Sequence, residues 1–414
     1  MCRPETSLLL CGGVSFSQLP SNGPRSYTKS RRLRNRPSPP GMIDPQTRNQ
    51  NSSGSPPLWQ KPVWYDRTVK IGLRLGSFVV VIRLVIPVAL PAATQAAELG
   101  RIVVANEHAS TVQFVDLRTG NVLKTIATLK RPHEMVLDRN RGVAYISIAY
   151  KDGPYSAYER AGNEIQTIGL KNMAIIDTID IAPHWAPHGL ALDDKHGVLY
   201  ASCESNGGEL IGINLKTKMI ELAVKLGGVP HPHTLTVIPS LNKAYTANKD
   251  VGHISAVDLK EKKVTRIPTP TGSEGIISTP DAKYVFAGNQ TGRDLLVIDP
   301  TKDEVVKRVP LDQPPSMFAL SADGKKLYIT FWNQVPGKPT WQDGFIQAFD
   351  VASLTAGPKL RVGHFPLNMG ISPDGKTGVV DTTADGAVTV VDLSQLKIIR
   401  TIKTDEWPHG VAVF

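Results

Sequence analysis

The sequence is poor in cysteine. Two of its three, Cys2 and Cys11, lie near the N-terminus, and Cys203 stands alone in the rest of the chain. A lone cysteine excludes an internal disulfide there and any paired Cys-x-x-Cys site. Cys-x-x-Cys-His is absent too, so no covalent haem is expected. There is no Walker motif, and GSEG at 272–275 is too short to cradle phosphates, so no nucleotide is expected. No Gly-x-Ser-x-Gly elbow offers a hydrolase nucleophile. Also missing is a clean apolar run of ~20 residues, the length that crosses a bilayer. The one long stretch, GSFVVVIRLVIPVALP (76–91), is broken by Arg83 and Pro87.

The net charge of +10 is confined to one end. Residues 1–97 hold 13 Lys and Arg against 3 Asp and Glu, which leaves 34 of each sign in the remainder. The body is therefore neutral and carries no bulk charge that would draw it to polyanions, so no nucleic acid partner is expected. Residues 1–66, rich in Pro, Ser, Arg and Asn, have too little apolar content to bury; they read as a disordered extension or an upstream mis-start of translation. Residues 67–97 combine a basic flank (Arg67, Lys70, Arg74), the apolar stretch and the small-residue segment AATQAAE. These are the three parts of a secretory signal, with cleavage near Ala96–Ala97. The expectation is a periplasmic or secreted bacterial protein with no membrane contact after cleavage; an uncleaved anchor is the alternative.

Residues 98–414 repeat one unit. A strand ending in Asp or its equivalent occurs seven times: QFVD (113–116), AIID (174–177), IGIN (211–214), SAVD (255–258), LVID (296–299), QAFD (347–350) and TVVD (389–392). A second type, such as LYAS (199–202) and AYTA (244–247), also occurs seven times, as does an opening strand such as HGLALD or HTLTVI. The opening strands align on His133, His188, His233, Glu274, Ser316, Asn368 and His409. Short strands at intervals of ~40–45 residues mark a β-propeller. The chain ends on an opening strand with no continuation and begins, after the signal, with IVVAN, which lacks one. The fold class is thus all-β, a seven-bladed propeller closed by pairing of residues 408–414 with the strands in 101–130, and a monomer is expected.

VVANEHASTVQFVDLRTGNVLKTI and AYTANKDVGHISAVDLKEKKVTRI resemble the YVTN-family propeller repeat, with AYTAN (244–248) nearest to the motif. The resemblance covers roughly residues 100–414 and implies the fold. That family shades into lactonase-like propellers, the haem-binding propeller of nitrite reductases and exported propellers of unassigned role, so function must be argued from the site.

In a propeller, the loop entering each inner strand and the loop between second and third strands open on one face. All ten histidines lie in the body, and nine fall on that face. His133, His188, His233 and His409 open inner strands, each after a proline. His184, His231 and His364 lie in the loops entering them, and His108 and His253 in second-to-third-strand loops. His196 alone lies opposite. The expected result is an arc of four imidazoles with Glu274 in the next blade. Imidazole is the commonest ligand of Zn, Cu and Fe, and three histidines with an open position form a known zinc pattern. A hydrogen-bonding role in the repeat and metal-free acid–base catalysis stand as alternatives. Two long second-to-third-strand loops, 149–164 and 331–344, bring Tyr155, Arg160, Trp332 and Trp341 to the same face as a ligand wall.

Three functions are open at this point. The first is a propeller that binds a transition metal or small ligand. The second is a metal-assisted hydrolase or lactonase, with the ion polarising a carbonyl and Glu274 as base. The third is a scaffold that contacts a protein partner through its top face.

Overall fold

The computed structural model describes residues 100–151, 161–333 and 342–414, together with the backbone of 69–75 and 78–84. Tyr155, Arg160, Trp341 and the expected cleavage site lie outside the described residues. Two units are distinguished, Met1–Val88 and Ala89–Phe414. In the first, Val69–Leu75 pairs antiparallel with Phe78–Leu84. Part of the apolar stretch read as a signal is thus drawn as a strand. No described helix is long and apolar enough to cross a membrane.

The second unit is a propeller of seven four-stranded antiparallel sheets. The inner strands of blades 1, 2, 3 and 6 are Pro132–Asp138, Pro187–Asp193, Pro232–Ile238 and Pro366–Ile371. Blades 4 and 5 have shorter ones, Ile276–Ser278 and Phe318–Leu320, so Glu274 and Ser316 precede regular pairing there. Blade 7 is composite: Pro408–Val413 pairs with Arg101–Asn106, with Ile102 opposite Val413 and Val104 opposite Val411. Inner strands touch in ring order, blade 1 against blades 2 and 7.

Alternation within the second and third strands builds the core. Side chains of a strand point to opposite faces, and here each face meets a neighbouring blade. In Val143–Tyr150, Val143 and Tyr145 pack with Leu199 and Ile211 of blade 2. Ala144 and Ile146 pack instead with Val103 and Phe114 of blade 7. Both faces are covered, so the strand reads as a continuous apolar run and is buried throughout. Outer strands such as Val122–Ala127 have one covered face at most and are largely exposed.

The histidine corner has its own backbone geometry. Pairing between first and second strands is interrupted between Pro132 and Met135, Pro187 and Leu190, Pro232 and Leu235, and Pro366 and Met369. Such bulges re-aim side chains. Arg131, Ala186, Phe365 and Trp407, each directly before the proline, have φ of 58°, 50°, 53° and 61°. A proline ordinarily pushes its predecessor to extended backbone. These corners sit in the left-handed region instead, at a cost of about 1–3 kcal/mol each. The backbone entering Pro132, Pro187, Pro366 and Pro408 is therefore fixed by a strained turn as well as by the proline ring.

Neighbouring blades are joined at this corner through hydroxyl groups. Ser147 Oγ accepts from the Glu134 N–H (3.1 Å) and donates to the His188 carbonyl (2.9 Å). Ser202 links Gly189 N–H to the His233 carbonyl, and Thr330 links Met317 N–H to the Leu367 carbonyl. The glycine of Pro-His-Gly belongs to the same contact. A Cβ on Gly189 would lie 2.6 Å from the His233 carbonyl oxygen, and one on Gly410 2.9 Å from that of His133. The neighbouring backbone thus leaves no room for a side chain at the glycine of blades 2 and 7.

Candidate metal centre at the channel mouth

His133, His188, His233 and His409 are all buried and lie side by side at the channel mouth. The His133 ring stands edge-on to both neighbours, with centroids 3.9 Å from His409 and 4.3 Å from His188. His188 and His233 are 4.1 Å apart. The Nε2 atoms of His133 and His188 approach to 2.9 Å, a distance at which one of them donates an N–H to the other. Two imidazole nitrogens on one tetrahedral ion with ~2.05 Å bonds lie about 3.3 Å apart, so the pair needs to open by roughly 0.4 Å to share an ion.

Two carboxylates complete the cluster, and sequence reasoning missed both. Glu107 Oε2 lies 3.0 Å from His409 Nδ1 and 3.7 Å from His133 Nδ1. Its other oxygen accepts from Arg131, with Nε at 2.9 Å, which orients the group. Glu134 is 7 % exposed, and its Oε1 lies 3.8 Å from His409 Nε2 without a hydrogen-bond partner among the described residues. Two groups of three donors result, Glu107–His133–His409 and His133–Glu134–His188.

The electrostatics follow from burial and from these pairings. Burial opposes ionisation of Glu107, but the His133 and His409 imidazoles beside it outweigh that and hold its carboxyl well below the usual range. For His409, burial is likewise outweighed, by Glu107, and its pKa rises to about 9. Burial, helped by His409, lowers His133 to about 4. Burial also puts His188 and His233 well below the ordinary value and raises Glu134. The cluster thus combines the neutral imidazoles of His133, His188 and His233 with a protonated His409 paired to the Glu107 carboxylate. Once His409 and Glu134 give up their protons, imidazole and carboxylate in a dry setting are the donor set of Zn, Cu or Fe sites.

The other expected residues are placed as follows. Glu274 sits at the His233 end, 3.7 Å from its Nε2, outside both three-donor groups. Its carboxylate is held by Lys249 (3.0 Å) and Gln290 (2.5 Å). His233 likewise lies outside the groups and donates from Nδ1 to the Glu274 carbonyl (3.1 Å). His184 pairs with Glu209 and His364 with Asp385, both at 2.7 Å, and His231 pairs with Asp250. In these loops, then, histidine ties a blade entrance to a carboxylate. His253 opens the third strand of blade 3. His108 stacks on Trp407 (4.6 Å), and Trp332 meets Phe365 at a tilt (4.8 Å).

Glu134 was legible as a departure from repeat, standing where blades 2 and 7 have the glycine of Pro-His-Gly. Glu107 belongs to a second ring, the residue just past each second strand, which includes Glu204, Lys249 and Gln290. Below the cluster, a cavity of about 250 Å³ is lined by all seven inner strands, among them Glu134, Thr234, Ile276, Phe318 and Met369.

Fold and cluster define the class: a seven-bladed propeller with histidines and carboxylates converging at the channel mouth. The chain belongs to the YncE-like β-propeller family, whose model matches residues 93–335. It is 24 % identical over 258 residues to the uncharacterized protein YncE of Salmonella typhi, covering 59 % of this chain and 68 % of that one. It is 25 % identical over 247 residues to antigen Lp49 of Leptospira interrogans, covering 55 % of this chain; it spans about half (52 %) of the antigen's length. Among solved structures, a putative 6-phosphogluconolactonase from Bacteroides fragilis aligns with TM-score 0.60 at 15 % identity, covering 78 % of this chain and 99 % of that one. The dihydro-haem d1 dehydrogenase NirN aligns with TM-score 0.51 at 15 % identity, covering 76 % and 66 %. These likenesses establish a shared fold.

Proposed function

We propose that this protein is an exported propeller that binds a transition metal ion, zinc, copper or iron, at the channel mouth. The observation that carries this reading is the convergence of His133, His188, His409, Glu107 and Glu134, all buried, in two sets of donors within 4.8 Å of one another. Glu134 is buried, and its Oε1 has no hydrogen-bond partner among the described residues and lies 3.8 Å from His409 Nε2, so a cation there would compensate its charge. The test is elemental analysis of the full chain purified without chelator, beside a His133→Ala/His188→Ala variant. Metal in the parent, lost in a variant with unchanged circular dichroism, supports the reading. A parent that retains none after incubation with Zn(II), Cu(II) and Fe(II) overturns it. Export is tested by the mass of the protein recovered from the periplasm: a start near Glu98 is expected, and an intact N-terminus in the cytosol contradicts it.

The cavity beneath the cluster favours a second reading, metal-assisted hydrolysis of a small lactone or ester. Glu274 is the base this reading names, and it must release Lys249 or Gln290 to take a proton. Hydrolysis by metal-loaded protein that stops on chelation supports it; metal binding without turnover on a lactone and ester panel leaves the carrier.

A further inference from the structure

We propose that the channel mouth holds two metal ions, with the His133 imidazole bridging them through its two ring nitrogens. This rests on the reading of the mouth as a metal site and goes beyond it in number and arrangement. His133 is the one residue common to both three-donor groups. Its Nδ1 faces Glu107 Oε2 at 3.7 Å, and Glu107 Oε2 is in turn 3.0 Å from His409 Nδ1. Its Nε2 faces His188 Nε2 at 2.9 Å. The lone pairs of the two nitrogens diverge from opposite edges of the ring, so a single ion cannot take both. One ion on the Glu107 side leaves the His188–Glu134 side unserved, and the reverse holds as well.

The charge balance agrees. Each three-donor group contains one buried carboxylate, Glu107 in the first and Glu134 in the second. Arg131 engages Glu107 through Oε1 and leaves Oε2 turned to the histidines. Glu134 Oε1 is buried and has no hydrogen-bond partner among the described residues. The first ion would take Glu107, His133 Nδ1 and His409 Nδ1, and the second His133 Nε2, His188 Nε2 and Glu134. Each has three protein ligands and positions left for exogenous ones. The first ion displaces to solvent the Nδ1 proton that His409 shares with Glu107; the second displaces the remaining imidazole N–H proton of His133 and any proton held on the Glu134 carboxyl.

The test is titration of the chelator-stripped full chain with Cu(II), followed by elemental analysis and quantitation of the electron paramagnetic resonance signal. Two equivalents per chain are expected, with an integrated signal below that of two isolated Cu(II) ions because the bridge couples their spins. Glu107→Gln and Glu134→Gln should each retain one equivalent with full signal. Because each variant removes a different side, misfolding of one leaves the other informative. Saturation at one equivalent, or two equivalents whose full, uncoupled signal persists in His133→Ala, overturns the bridge and leaves a metal-binding mouth standing. No bound copper in the parent overturns the metal reading itself.

Discussion

Ser147 tests how the ring holds its histidines in place. The Ser147→Ala variant removes one hydroxyl and orphans two buried backbone groups, the N–H of Glu134 and the carbonyl of His188. Leaving a buried polar group without a partner costs about 1–3 kcal/mol, so the loss for the two should come to about 2–6 kcal/mol in all. The two orphaned groups belong to candidate ligands in adjacent blades, so metal affinity should fall along with stability. Ser147→Thr should restore both, because Thr330 makes the same bridge in blade 5. Urea unfolding with fluorescence detection reads the stability, and competition with a chromophoric chelator reads the affinity. Unfolding midpoints that coincide for parent and Ala variant would refute the view that the hydroxyl joins the blades. Equal destabilisation by Thr and Ala would refute the specific role of the hydroxyl.

Two further perturbations probe the same corner and its surroundings. Burial, opposed by the Tyr150 hydroxyl bond, raises the Glu204 carboxyl from 4.5 to about 7. A raised folded-state value gives a contribution that is complete below about pH 4.5 and is lost as pH climbs to 7. The parent should therefore lose up to about 3 kcal/mol relative to Glu204→Gln over that window, read by urea unfolding at each end; parallel pH profiles would contradict it. Gly189→Ala places a methyl 2.6 Å from the His233 carbonyl oxygen and 2.7 Å from the Thr234 Cα, so a loss of about 1–3 kcal/mol is expected in thermal unfolding. A melting temperature equal to the parent's would show that the neighbouring strand yields freely.

Blade number was legible because burial on both faces makes the middle strands short apolar runs, as in Val143–Tyr150, and those runs recur in every blade. The arc of His133, His188, His233 and His409 was legible because one alignment position recurs in every blade. Distances across the ring leave no such trace. Glu107 reaches His409 across 302 positions of sequence, through the pairing of the chain's last strand with Arg101–Asn106. The left-handed turns before Pro132, Pro187, Pro366 and Pro408 run against the local preference of residues preceding proline, so local rules pointed the other way. Glu274 shares the alignment position of the histidines, yet its carboxylate turns to Lys249 and Gln290, whose positions follow from a different strand end.

Anomalous diffraction at the metal absorption edge, from crystals of the full chain grown with Zn(II) or Cu(II), tests the central claim most directly. A peak enclosed by His133, His188, His409 and the carboxylates of Glu107 and Glu134 is the result this account predicts. A mouth without anomalous density, in crystals where the same ion occupies surface sites, would contradict it.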